Sequence, residues 1–341
     1  MKHTNKKEKP YLYNSGLKRL AKEAKGDERI HMGIRPFGFH AGNLVSLYIS
    51  PYLFFEEVKR LGKPVNFTLF YSINDYEQDE LDGPDHIRYP FNVFPKNTTL
   101  GYAKDPESCH EYVIDHWEPI IKKCILTLRD HFTGLQIYFV RNSELKGDIK
   151  FKEILTSTLR NPTEQADIYR RFTDKEILEK PIQYAGVVCP VCKRTKGTTH
   201  AHRVNGDYIH WKCGTCGISF NASYASYDYW FYHKPLFTAR LSIFNIDITF
   251  SGNDHFSEGD FLVRQEFIKR FNPDLKIPKM YFGPLILAED GEKMSKSRKN
   301  VRFGDVEALM KHCKDKEVRK LQIVDKFIAH PTSDEEYIDF F

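Results

Sequence analysis

Nothing in the 341 residues approaches the roughly 18 consecutive apolar residues that a membrane-spanning helix needs. The opening stretch, Met1 to Lys9, is polar and basic and holds no apolar core, so it does not read as a secretory leader. Internal repeats and low-complexity segments are missing too. Net charge is slight: 51 Lys and Arg against 46 Asp and Glu leave +5, too little to argue for a nucleic-acid partner by itself. Cysteine is sparse and odd in number, at seven, which does not make a disulfide framework. Cytoplasm is the expected compartment, with no membrane partner.

What is present is ordinary for a globular chain, 41% apolar and 28% charged, with aromatics raised to 14%. The length allows two domains, or one α/β domain carrying an inserted module. Charge is unevenly placed: residues 1–26 carry eight Lys/Arg against two Glu, and residues 293–320 carry ten against four acids. Either run is a solvated surface or a contact for a polyanion.

Arg29 to Ile34 reads as a strand, the Gly- and Pro-punctuated segment Gly33 to Gly42 as a turn, and Leu44 to Leu61 as an apolar helix. Pro64 to Ile73 is a second strand. Strand, helix, strand opens a parallel, doubly wound α/β sheet. Residues 74–185 are mixed and mostly helical. Residues 235–271 then return to α/β character, with a strand at Asp247 to Ser251 and a helix from about Phe261. Tyr281 to Leu287 is a further strand, and Asp305 to His330 a last helix.

Four cysteines form two CxxC knuckles, Cys189-Pro-Val-Cys192 and Cys213-Gly-Thr-Cys216. Each knuckle turns two thiolates to one side, and two knuckles complete a closed tetrahedral site for a structural Zn²⁺. Between them Asn205-Gly206 is a strong hairpin turn, flanked by His202 to Val204 and Tyr208 to Lys212. His200 and His202 lie close by as substitute ligands or plain strand residues. Ribbons of this kind decorate many proteins and say little about function.

Two further motifs carry chemistry. Pro36-Phe-Gly-Phe-His-Ala-Gly-Asn43 joins the first strand to the first helix, where Gly38 and Gly42 permit close backbone approach and free helix amides suit phosphate. His40 and Asn43, three apart at a helix start, can face one ligand, although such a turn is also common without one. Gly291-Glu-Lys-Met-Ser-Lys-Ser297 places Lys293 and Lys296 around Met294 and Ser295. Two ammonium groups so spaced can neutralise the β- and γ-phosphates as pyrophosphate leaves.

HxGN near the start and KMSKS near the end resemble the two signatures of the class I aminoacyl-tRNA synthetases. Asn74-Asp75-Tyr76-Glu77 looks like the DDYD-type segment of class I lysyl-tRNA synthetases. Ala239-Arg240, followed by Phe250-Ser-Gly-Asn-Asp-His255, is similar to that family's ARW…FGKDH stretch. The resemblance implies a Rossmann-like, HUP-type catalytic domain with a helical insertion and a zinc ribbon. The expected boundaries are a basic arm over 1–26, halves of the catalytic domain over 27–185 and 223–300, the ribbon over 186–222, and a short helical segment over 301–341.

The resemblance further implies a ligase that joins an amino acid, lysine or lysine-like, to ATP as an aminoacyl adenylate, with Mg²⁺ on the phosphates. By carry-over, His40, Asn43, Lys293 and Lys296 are the catalytic candidates. Gly38, His40, Gly42, Asn43, Gly252, Asp254, Met294 and Ser295 are the ATP-binding ones, and Asp75, Tyr76 and His255 the amino-acid-binding ones. Three departures stand out. One residue, not two, separates Gly38 from His40, Leu236 stands where the family has an acid, and 44 residues follow Ser297 where the family continues into an anticodon-binding region. The expected acceptor is therefore non-standard, a small molecule, a carrier protein or a modified tRNA nucleotide. A minimal synthetase working through the acceptor stem and a non-catalytic paralogue are the alternatives.

Overall fold

Alternation with a period of two decides what each face of the main sheet does. In the computed structural model, the strand Arg29–Ile34 sends Ile30, Met32 and Ile34 into a large apolar cluster, while His31 on the opposite face meets Ser72 and Phe237. The structure describes residues 9–35, 41–75, 100–102, 104, 110–173, 185–187, 189–193, 199–205, 208–223, 229–231, 233–252, 254–257, 259–287, 291, 311, 318 and 337–339.

The first half runs β1 (Tyr11–Leu12), α1 (Tyr13–Glu23), β2 (Arg29–Ile34), α2 (Ala41–Leu44), a π-helical turn (Val45–Ile49), α3 (Ser50–Arg60) and β3 (Thr68–Ile73). It continues through α4 (Val113–Leu126), α5 (Leu128–His131), β4 (Gln136–Arg141), α6 (Ile149–Arg160) and α7 (Pro162–Phe172). Then come β5 (Ala185–Val187), β6 (Thr199–Asn205), β7 (Tyr208–Cys213), β8 (Ser219–Ser223) and β9 (Tyr229–Phe231). The last described part holds α8 (His233–Phe244), β10 (Ile248–Ser251), α9 (Asp254–Ser257), α10 (Asp260–Phe271), β11 (Lys279–Phe282), β12 (Leu285–Leu287) and β13 (Tyr337–Asp339).

Six strands form the main sheet in the order β1-β11-β10-β2-β3-β4, and every pairing is parallel. The chain winds outward from β2 through β3 to β4, then resumes on the other side with β10 and β11. This is a doubly wound, Rossmann-like α/β sheet whose direction reverses between β2 and β10. Residues of α1, α3 and α4 cover one face, among them Leu17, Leu20, Phe54, Phe55, Ile121 and Ile125. The second face packs on Phe237 and Leu241 of α8, Phe261 and Ile268 of α10, and Phe151 and Ile154 of α6.

The helix after β2 begins at Ala41, three residues before the expected apolar run, and loosens into the π turn before Pro51. An α-helical Leu47 carbonyl would point at the Pro51 ring, which has no N–H to give. The wider turn avoids the clash, Ser50 N–H reaching back to Val45 O, and the Tyr71 hydroxyl donates to Leu47 O at 2.8 Å.

Four details differ from the sequence reading. Residues expected as a basic arm enter the sheet, where Tyr11 and Leu12 pair with Tyr281 and Phe282, while the short helix expected over Leu17 to Ala24 is present as α1, starting earlier, at Tyr13. A two-residue edge strand leaves no periodic trace. The region read as mostly helical supplies β4, an edge strand whose half-exposed residues hide its alternation. The strand expected over Tyr281 to Leu287 breaks at Gly283-Pro284, and its second piece, β12, pairs with β13 instead of the main sheet. The ribbon hairpin, Asn205 paired with Tyr208, gains a third strand, β8. The expected helix Asp305 to His330 lies outside the described residues except at Lys311 and Val318.

Candidate active site and metal centre

The C-terminal ends of β10, β2 and β3 lie side by side, and an open parallel sheet presents its ligand crevice there. After β2 the chain reaches Gly42 and Asn43 in α2, both half-buried at the start of the long helix. After β10 it passes Gly252 into α9, where Asp254 is the first helical residue and His255 is half-buried. Asp75 follows β3 and is buried. The fold thus sets Gly42, Asn43, Gly252, Asp254, His255 and Asp75 on three neighbouring strand ends. Gly38, His40, Tyr76, Lys293, Met294, Ser295 and Lys296 lie outside the described residues, as does the side chain of Asp254.

Beneath these ends the sheet carries polar groups on the face toward α8 and α10. His31 Nε2 and Ser72 Oγ are 2.9 Å apart. Arg264 of α10 donates to Ser251 Oγ at 3.1 Å and lies over the Phe237 ring. Arg240 of α8 donates to Asn74 Oδ1 at 2.6 Å and to Asn142 Oδ1 at 3.3 Å. Asn142, just past β4, donates to the same Asn74 oxygen at 2.9 Å. Both arginines are about 95% buried, so the crevice floor is backed by fixed positive charge.

That setting moves two titrations. Burial, joined by the charges of Arg240 and Arg264, holds the His31 imidazole well below its usual range, so it is neutral. Burial pushes the Asp75 carboxyl up, against the pull of its bonds from Ser143 and the charge of Arg141. Asp75 Oδ1 accepts from Ser143 N–H at 3.2 Å, and its carbonyl accepts from Gly101 N–H at 2.7 Å. Its carboxylate therefore has partners within the fold. Arg141, the last residue of β4, is held by Glu118 and Asp115 at 2.7 and 3.0 Å.

His31, Ser72, Asn142 and Arg264 escaped the motif reading, and Ser251 stood inside the Phe250 to His255 stretch without a role of its own. Polar residues interrupting the otherwise apolar strands Arg29–Ile34 and Thr68–Ile73 were the available trace. Arg264 sits in a helix like any surface arginine and left none.

The ribbon gathers its four thiols. Sγ atoms of Cys189, Cys192, Cys213 and Cys216 all lie within 4.8 Å of one another, with contacts of 3.6 Å (Cys189–Cys216) and 3.5 Å (Cys192–Cys213). A tetrahedron of ~2.3 Å metal–sulfur bonds has edges of about 3.8 Å, so the set fits a closed zinc site. The knuckles match in backbone: Lys193 N–H bonds Cys189 O at 3.0 Å, and Gly217 N–H bonds Cys213 O at 2.9 Å. Lys193 and Gly217 are both left-handed, at φ 58° and 76°. Burial pushes the Cys189 thiol up. For Cys213 burial acts the same way, but N–H groups of Cys216 and Thr215 and the neighbouring thiols outweigh it and bring it to about 7. Trp211 of β7, fully buried, ties the ribbon to the cluster around α8.

Among solved structures, a tyrosyl-tRNA synthetase complexed with L-tyrosine from Archaeoglobus fulgidus is similar at 12% identity and a TM-score of 0.41. The match covers 85% of this chain and 65% of that one. A tyrosyl-tRNA synthetase from Aeropyrum pernix gives 15% identity and a TM-score of 0.40, over 85% and 63%. A tryptophanyl-tRNA synthetase from Mycoplasma pneumoniae gives 13% and 0.37, over 82% and 62%. This chain thus spans a little under two thirds of the length of each. No curated protein matches it. The family described as tRNA synthetases class I (K) matches residues 17–325, nearly the whole chain, and the chain belongs to that family.

Proposed function

We propose that the protein activates an amino acid with ATP. A carboxylate oxygen attacks the α-phosphorus, a P–O bond forms, and the bond to the β-phosphate oxygen breaks. Pyrophosphate leaves with the electron pair, and the aminoacyl adenylate remains. One observation carries the reading: in a member of this family, Gly42–Asn43 and Gly252–Asp254 follow adjacent strands at the reversal point of the sheet. The helix start at Gly42 and Asn43 would meet the phosphates, and Asp254 the ribose hydroxyls. Lys293 and Lys296, with Mg²⁺, would neutralise the leaving pyrophosphate. Positioning and charge do the work, with no covalent protein nucleophile. The cysteine set would hold Zn²⁺ as a brace, away from the chemistry.

The amino acid is lysine or lysine-like, supported by the family description and by the acidic residues Asp75 and Glu77 after β3. The adenylate passes to an acceptor that is either a tRNA or a non-standard nucleophile. ATP–pyrophosphate exchange across the amino acids, with and without total tRNA, tests the reading. Exchange with lysine in the absence of tRNA is the expected result, and silence with every amino acid in both conditions overturns it.

A further inference from the structure

On the polar face of β2, Gly33 leaves the floor of the crevice bare among the described residues. It is exposed, although it lies between the buried Met32 and Ile34, and it pairs with Ser72 across the β2–β3 ladder. A side chain there would meet a single described atom, Asn74 Nδ2, at 3.8 Å. Asn74 follows β3 directly, its N–H bonded to Ile34 O at 2.8 Å, so its side chain stands on the same face as Ser72.

Which end of the Asn74 amide faces this space follows from its neighbours. Arg240 Nη1 and Asn142 Nδ2 both donate to one Asn74 atom, and a guanidinium can only donate. That atom is therefore the oxygen. Asn142 is oriented the same way, since its own oxygen accepts from Arg240 at 3.3 Å. The amide nitrogen of Asn74 is left turned toward Gly33, and among the described residues no acceptor reaches it. The group that fills this space must present an oxygen. An ammonium would meet N–H donors backed by a buried guanidinium.

We infer that Asn74 Nδ2 is a substrate-binding donor, holding a carboxylate oxygen of the amino acid over Gly33, with Arg240 and Asn142 as positioning residues. The inference rests on the activation reading only for the identity of that oxygen: the carboxylate is the acceptor that reaction brings to the crevice. A Cβ on Gly33 would stand 3.8 Å from Asn74 Nδ2, against the side of an oxygen bonded to that nitrogen, so a side chain there would crowd the oxygen. The same donor follows the substrate into the adenylate, where the carbonyl oxygen remains an acceptor. Fixing the amide beforehand means that its orientation is not bought from binding energy.

The test is calorimetric binding of the amino acids without ATP, comparing the one that binds with its amino alcohol, which lacks the carboxylate. Asn74→Asp keeps the shape and pairs with Arg240, so the fold is retained while the donor is lost. It should weaken the amino acid by about tenfold or more, as expected for a bond to a charged group, and leave the amino alcohol no weaker. Gly33→Ala, which leaves the Arg240 bonds alone, should weaken the amino acid likewise and decides the matter if Asn74→Asp does not fold. Wild-type affinity in the folded variants, an equal loss for both ligands, or a wild-type protein that binds no amino acid would each overturn the inference. Asn74-dependent binding in a protein that never exchanges pyrophosphate would uphold it and sink the activation reading instead.

Discussion

Arg240 and Asn74 are joined by a 2.6 Å bond across 166 positions of sequence, from the helix α8 to the end of β3. The same Nη1 reaches Asn142 at 3.3 Å, so one guanidinium nitrogen ties together the ends of β3 and β4. Arg240→Lys should not be conservative, because an ammonium on a flexible stem is not held at the point where the planar guanidinium's Nη1 meets both amide oxygens. Losing or loosening these bonds should cost about 1.5–3 kcal/mol in denaturant unfolding. The Michaelis constant for the amino acid should rise several-fold more than that for ATP. Equal rises in both would show that Arg240 acts on the fold as a whole and not on Asn74.

The sheet was legible where its strands are long and buried. Arg29 to Ile34 and Thr68 to Ile73 are largely buried, apolar-rich runs, which is why β2 and β3 are plain in the sequence. β4 was not, because an edge strand buries little and Tyr138 stays about half exposed. The knuckles were readable from spacing alone, since two CxxC turns fix four sulfurs locally. The polar floor was not, because Arg240, Asn74, Asn142 and Arg264 meet only through tertiary packing. Nothing about an arginine in a helix states which side chain it will reach.

Zinc should be found at about one ion per chain in the purified protein, measured by atomic emission. Cys213→Ser should reduce that content and lower the melting temperature, because a closed thiolate set contributes its binding free energy to folding. The loss should spread beyond the ribbon, since Trp211 of β7 is packed into the cluster around α8. A metal-free preparation that melts at the same temperature as the zinc-loaded one would contradict this.

Gly217→Ala separates backbone strain from packing. Among the described residues nothing lies within 4 Å of the added Cβ, so none of them crowds it. The φ of 76° remains, and a left-handed conformation costs an L-residue about 1–2 kcal/mol, partly offset by a stiffer unfolded chain. A net loss of about 1 kcal/mol is expected in chemical denaturation of the zinc-loaded protein. Unchanged stability would mean that the second knuckle relaxes at no cost.

Lys296→Ala should lower the pyrophosphate-exchange rate by about 100-fold or more, as for loss of one charged transition-state stabiliser. ATP binding should change far less, because the charge on the leaving pyrophosphate develops only as the bond breaks. Parallel losses in rate and in ATP affinity would reduce Lys296 to a phosphate contact.

His31 gives the protein a pH dependence whose sign is fixed by burial. In the fold it stays neutral, held there by burial and by Arg240 and Arg264, with Ser72 and Phe237 as its other neighbours. Unfolded, it takes up a proton below about pH 6.5. The unfolded chain then binds more protons than the folded one, so stability is present in full above that pH and is lost as the pH falls. One such group removes up to about 1.4 kcal/mol between about pH 7.5 and 5.5. His31→Gln keeps a partner for Ser72 and cannot titrate. It should be less stable than wild type near neutrality if the amide fits the ring's space poorly, yet its stability should fall less steeply toward pH 5.5. Asp75 bends the curve the other way, since a raised carboxyl favours the fold more at low pH, but it does so in both proteins. The difference between their urea-unfolding curves against pH therefore isolates His31. Identical slopes in the two proteins would mean that the imidazole is protonated in the fold despite its arginine neighbours.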